Sequence, residues 1–184
     1  VFCSAAMDLT SGMQDIPKEL ERYVAGLPLT TEPSDALPFQ SDEEYMRHAH
    51  ACLAIRNSSA SGDSPGGAQD LLERAEKSMQ LRCAAAGAQG RRLPRLERVA
   101  EKLALSQSET RALQFIALHN LGAEFEEKSS EYASRSIGTN LQRCAGLGPR
   151  ELLDFVDPSR LHIEQSLIEV DEGFEGTFRG QNFK

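Results

Sequence analysis

The segment Arg47–Cys52 holds a group of side chains of the types that bind metals, namely His48, His50 and Cys52. His48 and Cys52 are four residues apart and share a helix face, whereas His50 points to another side. A structural zinc site takes four ligands, and this segment does not supply them. The sequence therefore predicts no metal site here. It predicts an exposed polar helix face with Cys52 buried.

Patterns for nucleophilic or phosphate chemistry are also missing from the sequence. His119 and His162 stand alone, and no GxSxG motif frames a serine for them to activate. The Gly-rich stretch 62–67 has neither the lysine of a GxxxxGK[ST] loop nor a strand before it. We therefore expect no catalytic residue, no cofactor and no ATP binding. Both histidines are interpreted as structural or solvent-facing.

Two charged segments are candidates for contacts with a partner. The acidic run 124–131 lacks the ligand spacing and the glycine of an EF-hand loop, so it is interpreted as a solvated connector. The basic segment consists of Arg91, Arg92, Arg95 and Arg98, with Arg82 nearby.

Glu97 and Glu101 intersperse these arginines, and the segment has no aromatic side chain for stacking on bases. A charge pair between helices or subunits is therefore favoured over contact with nucleic acid.

The composition limits the classes of partner further. The 184 residues are 40% hydrophobic but only 6% aromatic, without Trp, so the core must consist mostly of Leu, Ala, Ile and Val. The formal net charge of -8 disfavours phosphate backbones and anionic membranes. No apolar run approaches the roughly 18 residues of a membrane span. Four widely spaced cysteines are typical of free thiols in a reducing, intracellular compartment.

Apolar spacing and capping residues predict a mainly α-helical fold. The strongest local signal is Ser106–Glu109, a capping box ahead of a helix that is buried on more than one side. Another capping box is predicted at Ser41 and Glu44, and Gly87 and Gly90 are expected to break a helix. The predicted helices start near Asp15 and Ser41 and cover about 68–86, 93–105 and 133–144. A further helix follows the capping box at Ser106–Glu109 and is expected to stop at Gly122, and a short helix starts at Pro149.

The chain divides into two predicted regions. Residues 1–90 form a helical segment with loops, in which 57–67 is a mobile loop of Ser, Gly, Asn and Asp. Residues 93–184 continue through the tight turn 146–148 and the helix at Pro149 to a last turn capped by Ser159. Strands at 167–170 and 177–179 then predict a small β-hairpin.

The order helix, helix, Gly turn, helix and hairpin is that of a winged-helix domain over 93–184. The segments 105–113, 157–161 and 166–170 resemble, more narrowly, the helical and winged-helix region that precedes the ATPase module of some AAA+ ATPases. The resemblance covers about half of the chain. It implies a non-catalytic region that contacts an ATPase module, with the motor beyond Lys184 in a longer parent protein.

The expected function is therefore a non-catalytic protein-interaction or regulatory domain. A winged-helix scaffold subunit of a larger complex and a winged-helix DNA-binding regulator remain alternatives. DNA binding is disfavoured because residues 149–170 carry two arginines against five carboxylates, a formal net of 2 − 5 = −3. The predicted partner-contact surface consists of Leu152, Phe155, Arg160, Arg91, Arg92 and Arg95.

Overall fold

The computed structural model describes residues 24, 26–59, 66–121, 137–165 and 167–168. In that part of the chain 71% of the residues are helical and none lies in a strand. The prediction of a mainly helical fold is thereby confirmed.

Seven α-helices follow one another along the described ranges. A 3-10 turn at Pro33–Asp35 precedes the first helix, and a π-helical turn at Leu141–Ala145 continues the fifth. The helices are α1 (Asp42–Ser59), α2 (Gly66–Ala88), α3 (Arg95–Lys102), α4 (Gln107–Leu121), α5 (Ile137–Asn140), α6 (Pro149–Phe155) and α7 (Leu161–Glu164). None of these helices has both the length and the apolarity that a membrane span needs.

The predicted capping box at the start of α4 is confirmed. The backbone N–H of Glu109 donates to Ser106 Oγ at 3.3 Å, and the N–H of Ser106 donates to Glu109 Oε2 at 2.7 Å. At α1, Ser41 Oγ accepts from the N–H of Glu44 at 3.1 Å, but the Glu44 carboxylate reaches one residue further back, to the N–H of Gln40. The second box therefore forms in an altered register.

Glycines end two of the helical segments. Gly90 has φ +63 and follows α2, whereas Gly87 lies inside that helix, so the expected break at Gly87 is wrong. Gly146 has φ +73 and closes the π-helical turn. Pro149 then starts α6 at a position where its missing N–H costs nothing.

The core lies where α1 packs against α2 and α4, and α4 packs against the π-helical turn. It is built mainly from aliphatic side chains and alanines, as the composition predicts, with Tyr45 and Phe155 as the largest fully buried side chains. The same cluster takes Leu53 and Ile55 from one side of the predicted boundary at 90–93 and Leu113 from the other. That boundary therefore falls within one packed core.

Two predictions near the C-terminal end are corrected. Leu167 and Ile168 form a bend in which both N–H groups donate to the carbonyl of His162 at 3.0 Å, so no strand begins there. The N-cap of α7 is Arg160, and the Ser159 hydroxyl instead donates to Asp157 Oδ1 at 2.5 Å. The return strand at 177–179 lies outside the described residues, and no strand occurs within them to support a winged helix.

For the other predicted segments, the structure describes only some of the residues. The predicted loop 57–67 is shorter at both ends, because 57–59 belong to α1 and 66–67 belong to α2. Residues 60–65 lie outside the described part, as do the start of the helix predicted near Asp15 and the acidic run 124–131.

Candidate functional site

The predicted polar face at 47–52 is not exposed at His48, whose side chain is buried. His48 Nδ1 lies 3.0 Å from the carbonyl oxygen of Glu44, and Nε2 lies 3.3 Å from Arg82 Nη1. Because a carbonyl only accepts and a guanidinium only donates, His48 is neutral, with its proton on Nδ1. His48 is thus a structural hydrogen-bonding residue.

Cys52 is buried, as predicted, with its Sγ 3.7 Å from Met79 Sδ. Burial raises the pKa of its thiol to about 12, which keeps it protonated and unreactive at neutral pH. Among the described residues no group of three His, Cys, Asp or Glu side chains is placed to hold a metal ion.

Arg82 belongs to a buried polar cluster and not to the basic segment near which the sequence places it. Its Nη2 donates to Glu44 Oε1 at 2.6 Å, and its Nε donates to the carbonyl of Leu37 at 2.8 Å. The guanidinium carbon lies 4.1 Å from the centroid of the Phe39 ring, a cation–π contact. These contacts attach the chain ahead of α1 to α2.

The rest of the basic segment is exposed, and part of it is engaged within the chain. Arg95 donates from Nε to Asp42 Oδ2 at 3.0 Å and from its backbone N–H to Asp42 Oδ1 at 2.8 Å. Arg91 Nη1 lies 3.5 Å from Gln40 Oε1. The favoured charge pair between helices is thus present at Arg95, while Arg92 offers an exposed cation.

Two members of the predicted partner-contact surface are not at the surface. Leu152 and Phe155 are buried, because α6 turns that side onto the core. The neighbouring Leu153 is instead 60% exposed and Leu161 is 47% exposed. The apolar side chains available to a partner are therefore Leu153 and Leu161. Arg160 forms an ion pair with Glu109 of α4.

Phe155 and His162 connect α6 to α7 on the buried side of the two helices. The rings of Phe155 and His162 stack with centroids 4.6 Å apart, and His162 Nε2 donates to the carbonyl of Phe155. Burial lowers the pKa of His162, so the ring is neutral at physiological pH. His162 is therefore structural, as predicted, and it fixes the position of α7 against α6.

A cleft of about 370 Å³ opens between α1, α2 and α4. Glu76 lies in its wall between two arginines: Arg56 Nη2 is 2.6 Å from Glu76 Oε1, and Arg111 Nη2 is 3.2 Å from the same oxygen. Apolar side chains form another part of the lining, among them Leu53 and Met79. The cleft thus combines a charged wall with an apolar one.

A second polar contact crosses the core beside the cleft. The hydroxyl of Tyr45 donates to Glu97 Oε1 and accepts from Gln114 Nε2 at 2.5 Å. Glu97 and Gln114 both line the cleft. Burial raises the pKa of Tyr45 well above its usual range, so the hydroxyl stays protonated.

Sequence reasoning did not single out the charged wall of the cleft. Arg56, Glu76 and Arg111 lie on three different helices. In the sequence of its own helix, each is indistinguishable from an ordinary solvent-exposed charge. The only local signal is the spacing of Gln107, Arg111 and Gln114, which puts three polar side chains on one face of α4.

Comparisons with protein families, with curated proteins and with solved structures gave no match for this chain.

Proposed function

We propose that this chain is a non-catalytic protein-interaction module that binds a basic amphipathic helix of a partner through α6–α7. The single observation that carries the proposal is the exposure of Leu153 and Leu161 on a unit whose other apolar side chains face the core. An apolar side chain left in water costs roughly 25 cal/mol for each Å² that a partner could cover.

The exposed charges of α6, of α7 and of the turn between them define the partner. Arg150 is the exposed cation of α6, and Arg160 is already neutralised by Glu109. Hydrogen bonds from Ser159 lower the pKa of Asp157, which keeps that carboxylate ionised. A helix that presents leucines flanked by lysines or arginines complements such a surface. The exposed carboxylates are those of Glu151, Asp154, Asp157 and Glu164.

The same charges bear on the alternatives. A phosphate backbone would meet the carboxylates of α6–α7, which argues against a DNA-binding regulator. Because the chain resembles regions ahead of AAA+ modules, an ATPase module is the partner that would carry the basic helix. If the chain is instead a scaffold subunit, it would bind its neighbours through the same exposed face of α6–α7. The non-catalytic assignment is supported by His48 and His162, whose rings are occupied by structural hydrogen bonds.

The compartment in this proposal is intracellular. Cys52 and Cys83 are free thiols in the described part of the chain. Burial raises the pKa of Cys83, like that of Cys52, to about 12, so both thiols are slow to oxidise. Such thiols suit a reducing environment.

The experiment is a titration of the full chain with a fluorescein-labelled designed helix that carries leucine on one face and lysine on the other. We expect Leu153→Ser and Leu161→Ser each to weaken binding about tenfold, since each removes one apolar contact. Leu37→Ser is the matched control, because Leu37 is 67% exposed but lies ahead of α1.

Three results would overturn the proposal. Equal loss of affinity in the Leu37→Ser control would show nonspecific hydrophobic binding. Equally tight binding of a designed leucine–glutamate helix would show that the acidic side chains play no part. Concentration-dependent dimerisation that is abolished by Leu161→Ser would make a second copy of the chain the occupant.

A further inference from the structure

The cleft between α1, α2 and α4 carries more positive than negative charge at one wall. Arg56 contacts Glu76 Oε1 through Nε at 2.9 Å and through Nη2 at 2.6 Å. Arg111 Nη2 contacts both oxygens of the same carboxylate, at 3.2 and 3.3 Å. Two guanidinium groups thus share one carboxylate, which leaves a formal charge of 2 − 1 = +1 at this wall, while Glu97 elsewhere in the lining brings the whole cleft to 2 − 2 = 0.

This excess charge is partly withdrawn from water. The side chains of Arg111, Glu76 and Arg56 are only 17%, 20% and 22% exposed. Burial lowers the pKa of Arg111, which reflects the cost of keeping its charge inside the cleft. An anion bound at this wall would reduce that cost, and its attraction would be stronger than at the open surface.

Arg111 also retains donors for such an anion. A guanidinium has five N–H groups in a planar fork, and Arg111 uses only the Nη2 side for Glu76. Gln107 and Gln114 lie on the same face of α4 and line the cleft with it.

The remaining lining sets the size and charge of the ligand. Leu53, Met79 and Leu105 line the cleft next to the charged wall, and of the three Leu105 is the most exposed. A volume of about 370 Å³ is near the lower end of small-molecule sites. Glu76 and Glu97 both line the cleft and would repel a second negative charge. A monoanion with a short apolar body therefore fits better than a phosphate dianion.

We propose that this cleft binds a small organic monocarboxylate, with its carboxylate on Arg111 and its apolar body against Leu53, Met79 and Leu105. The site is separate from the face of α6–α7 and does not depend on the function proposed for that face. A ligand there would contact α1, α2 and α4 together. Its binding would therefore stabilise the core against unfolding.

The test is calorimetric titration of the full chain with hexanoate, hexan-1-ol and inorganic phosphate in parallel. Hexanol keeps the apolar body without the charge, and phosphate keeps the charge without the body. We expect saturable binding of hexanoate, at least about tenfold tighter than either of the other two compounds. Equal affinity for hexanol, tighter binding of phosphate, or no binding of hexanoate would each overturn the proposal.

Two variants locate the site. Arg111→Gln removes the charged fork and should weaken hexanoate binding about tenfold or more. Because this variant also alters an ion pair in the fold, Gln80→Trp is the second variant: Gln80 is exposed on α2 and lines the cleft, so a large ring there should fill it. Arg98→Gln, an exposed arginine of α3, is the matched control and should bind normally. Unchanged binding in Gln80→Trp, with that variant folded, would place hexanoate elsewhere.

Discussion

At the scale of single residues, burial decides whether a charged side chain has a structural role in this protein. Arg82 is 4% exposed and reaches Glu44, the carbonyl of Leu37 and the Phe39 ring. A buried ion pair adds little net stability, but removing one partner leaves the other charge unpaired. Arg82 is therefore expected to be costly to replace.

We predict that Arg82→Met destabilises the fold by about 3 kcal/mol, because Glu44 and His48 both lose a donor inside the protein. Urea unfolding followed by circular dichroism measures this free energy. Arg92→Met is the matched control, since Arg92 is exposed, and its effect should stay within about 0.5 kcal/mol. Equal stability of the two variants would contradict the structural role of Arg82.

At the scale of elements, helix ends decide where each helix starts and stops. The reciprocal bonds between Ser106 and Glu109 supply partners to two N–H groups that the start of α4 would otherwise leave to water. Gly90 adopts φ +63 after α2, a conformation that glycine tolerates better than other residues. Replacing either Ser106 or Gly90 by alanine is therefore expected to destabilise the fold.

We predict that Ser106→Ala lowers the free energy of unfolding by about 1 kcal/mol, through loss of the N-cap hydroxyl. Ser108→Ala, inside the first turn of α4, is the control and should be neutral or slightly stabilising because alanine favours helix. Denaturant titration of both variants measures the difference. A Ser108→Ala variant less stable than Ser106→Ala would speak against the cap.

Gly87 and Gly90 form a second matched pair. A Cβ added at Gly87 would meet nothing within 4 Å, so Gly87→Ala should stabilise α2 by about 0.5–1 kcal/mol. Gly90→Ala also meets open space but must hold φ +63, so it should destabilise by about 1 kcal/mol. Thermal unfolding of the two variants should shift in opposite directions, and a shift in the same direction would refute this account.

At the scale of the whole molecule, the groups inside the fold respond to acid in the same sense. Burial lowers the pKa of His48 and of His162 below their ordinary value of 6.5. Burial alone would raise the pKa of Glu44, but the N–H of Gln40 and the Arg82 guanidinium lower it below its ordinary value of 4.5. In each case the unfolded chain takes up a proton more readily than the folded chain.

We therefore predict that stability is full near neutral pH and falls as the pH drops below 6.5 toward the lowered pKa values of the two histidines. A further loss follows below pH 4.5, as the unfolded chain protonates Glu44. Urea unfolding across this range checks the slope. A fold that gains stability on acidification through this range would contradict the buried, neutral histidines.

The sequence by itself determined what depends on neighbours along the chain. Capping at Ser106, the turn at Gly146 and the spans of α1, α2 and α4 follow from bonds between residues a few positions apart. The mainly helical class and an aliphatic core follow from spacing and composition. The strand predicted from Leu167 failed because a short apolar run also suits a bend, and here the carbonyl of His162 captures both N–H groups.

Only the tertiary structure decided which faces meet and which remain open. Arg56 and Glu76 are 20 residues apart in the sequence, and Glu76 and Arg111 are 35 residues apart. No local sequence pattern therefore predicts the charged wall of the cleft that these three side chains form. The same holds for α6, where Leu152 is buried and Leu153 is exposed because the core touches one side of the helix. Burial and long-range ion pairs depend on how whole helices pack, and that packing gives one arginine a partner inside the fold and leaves another in water.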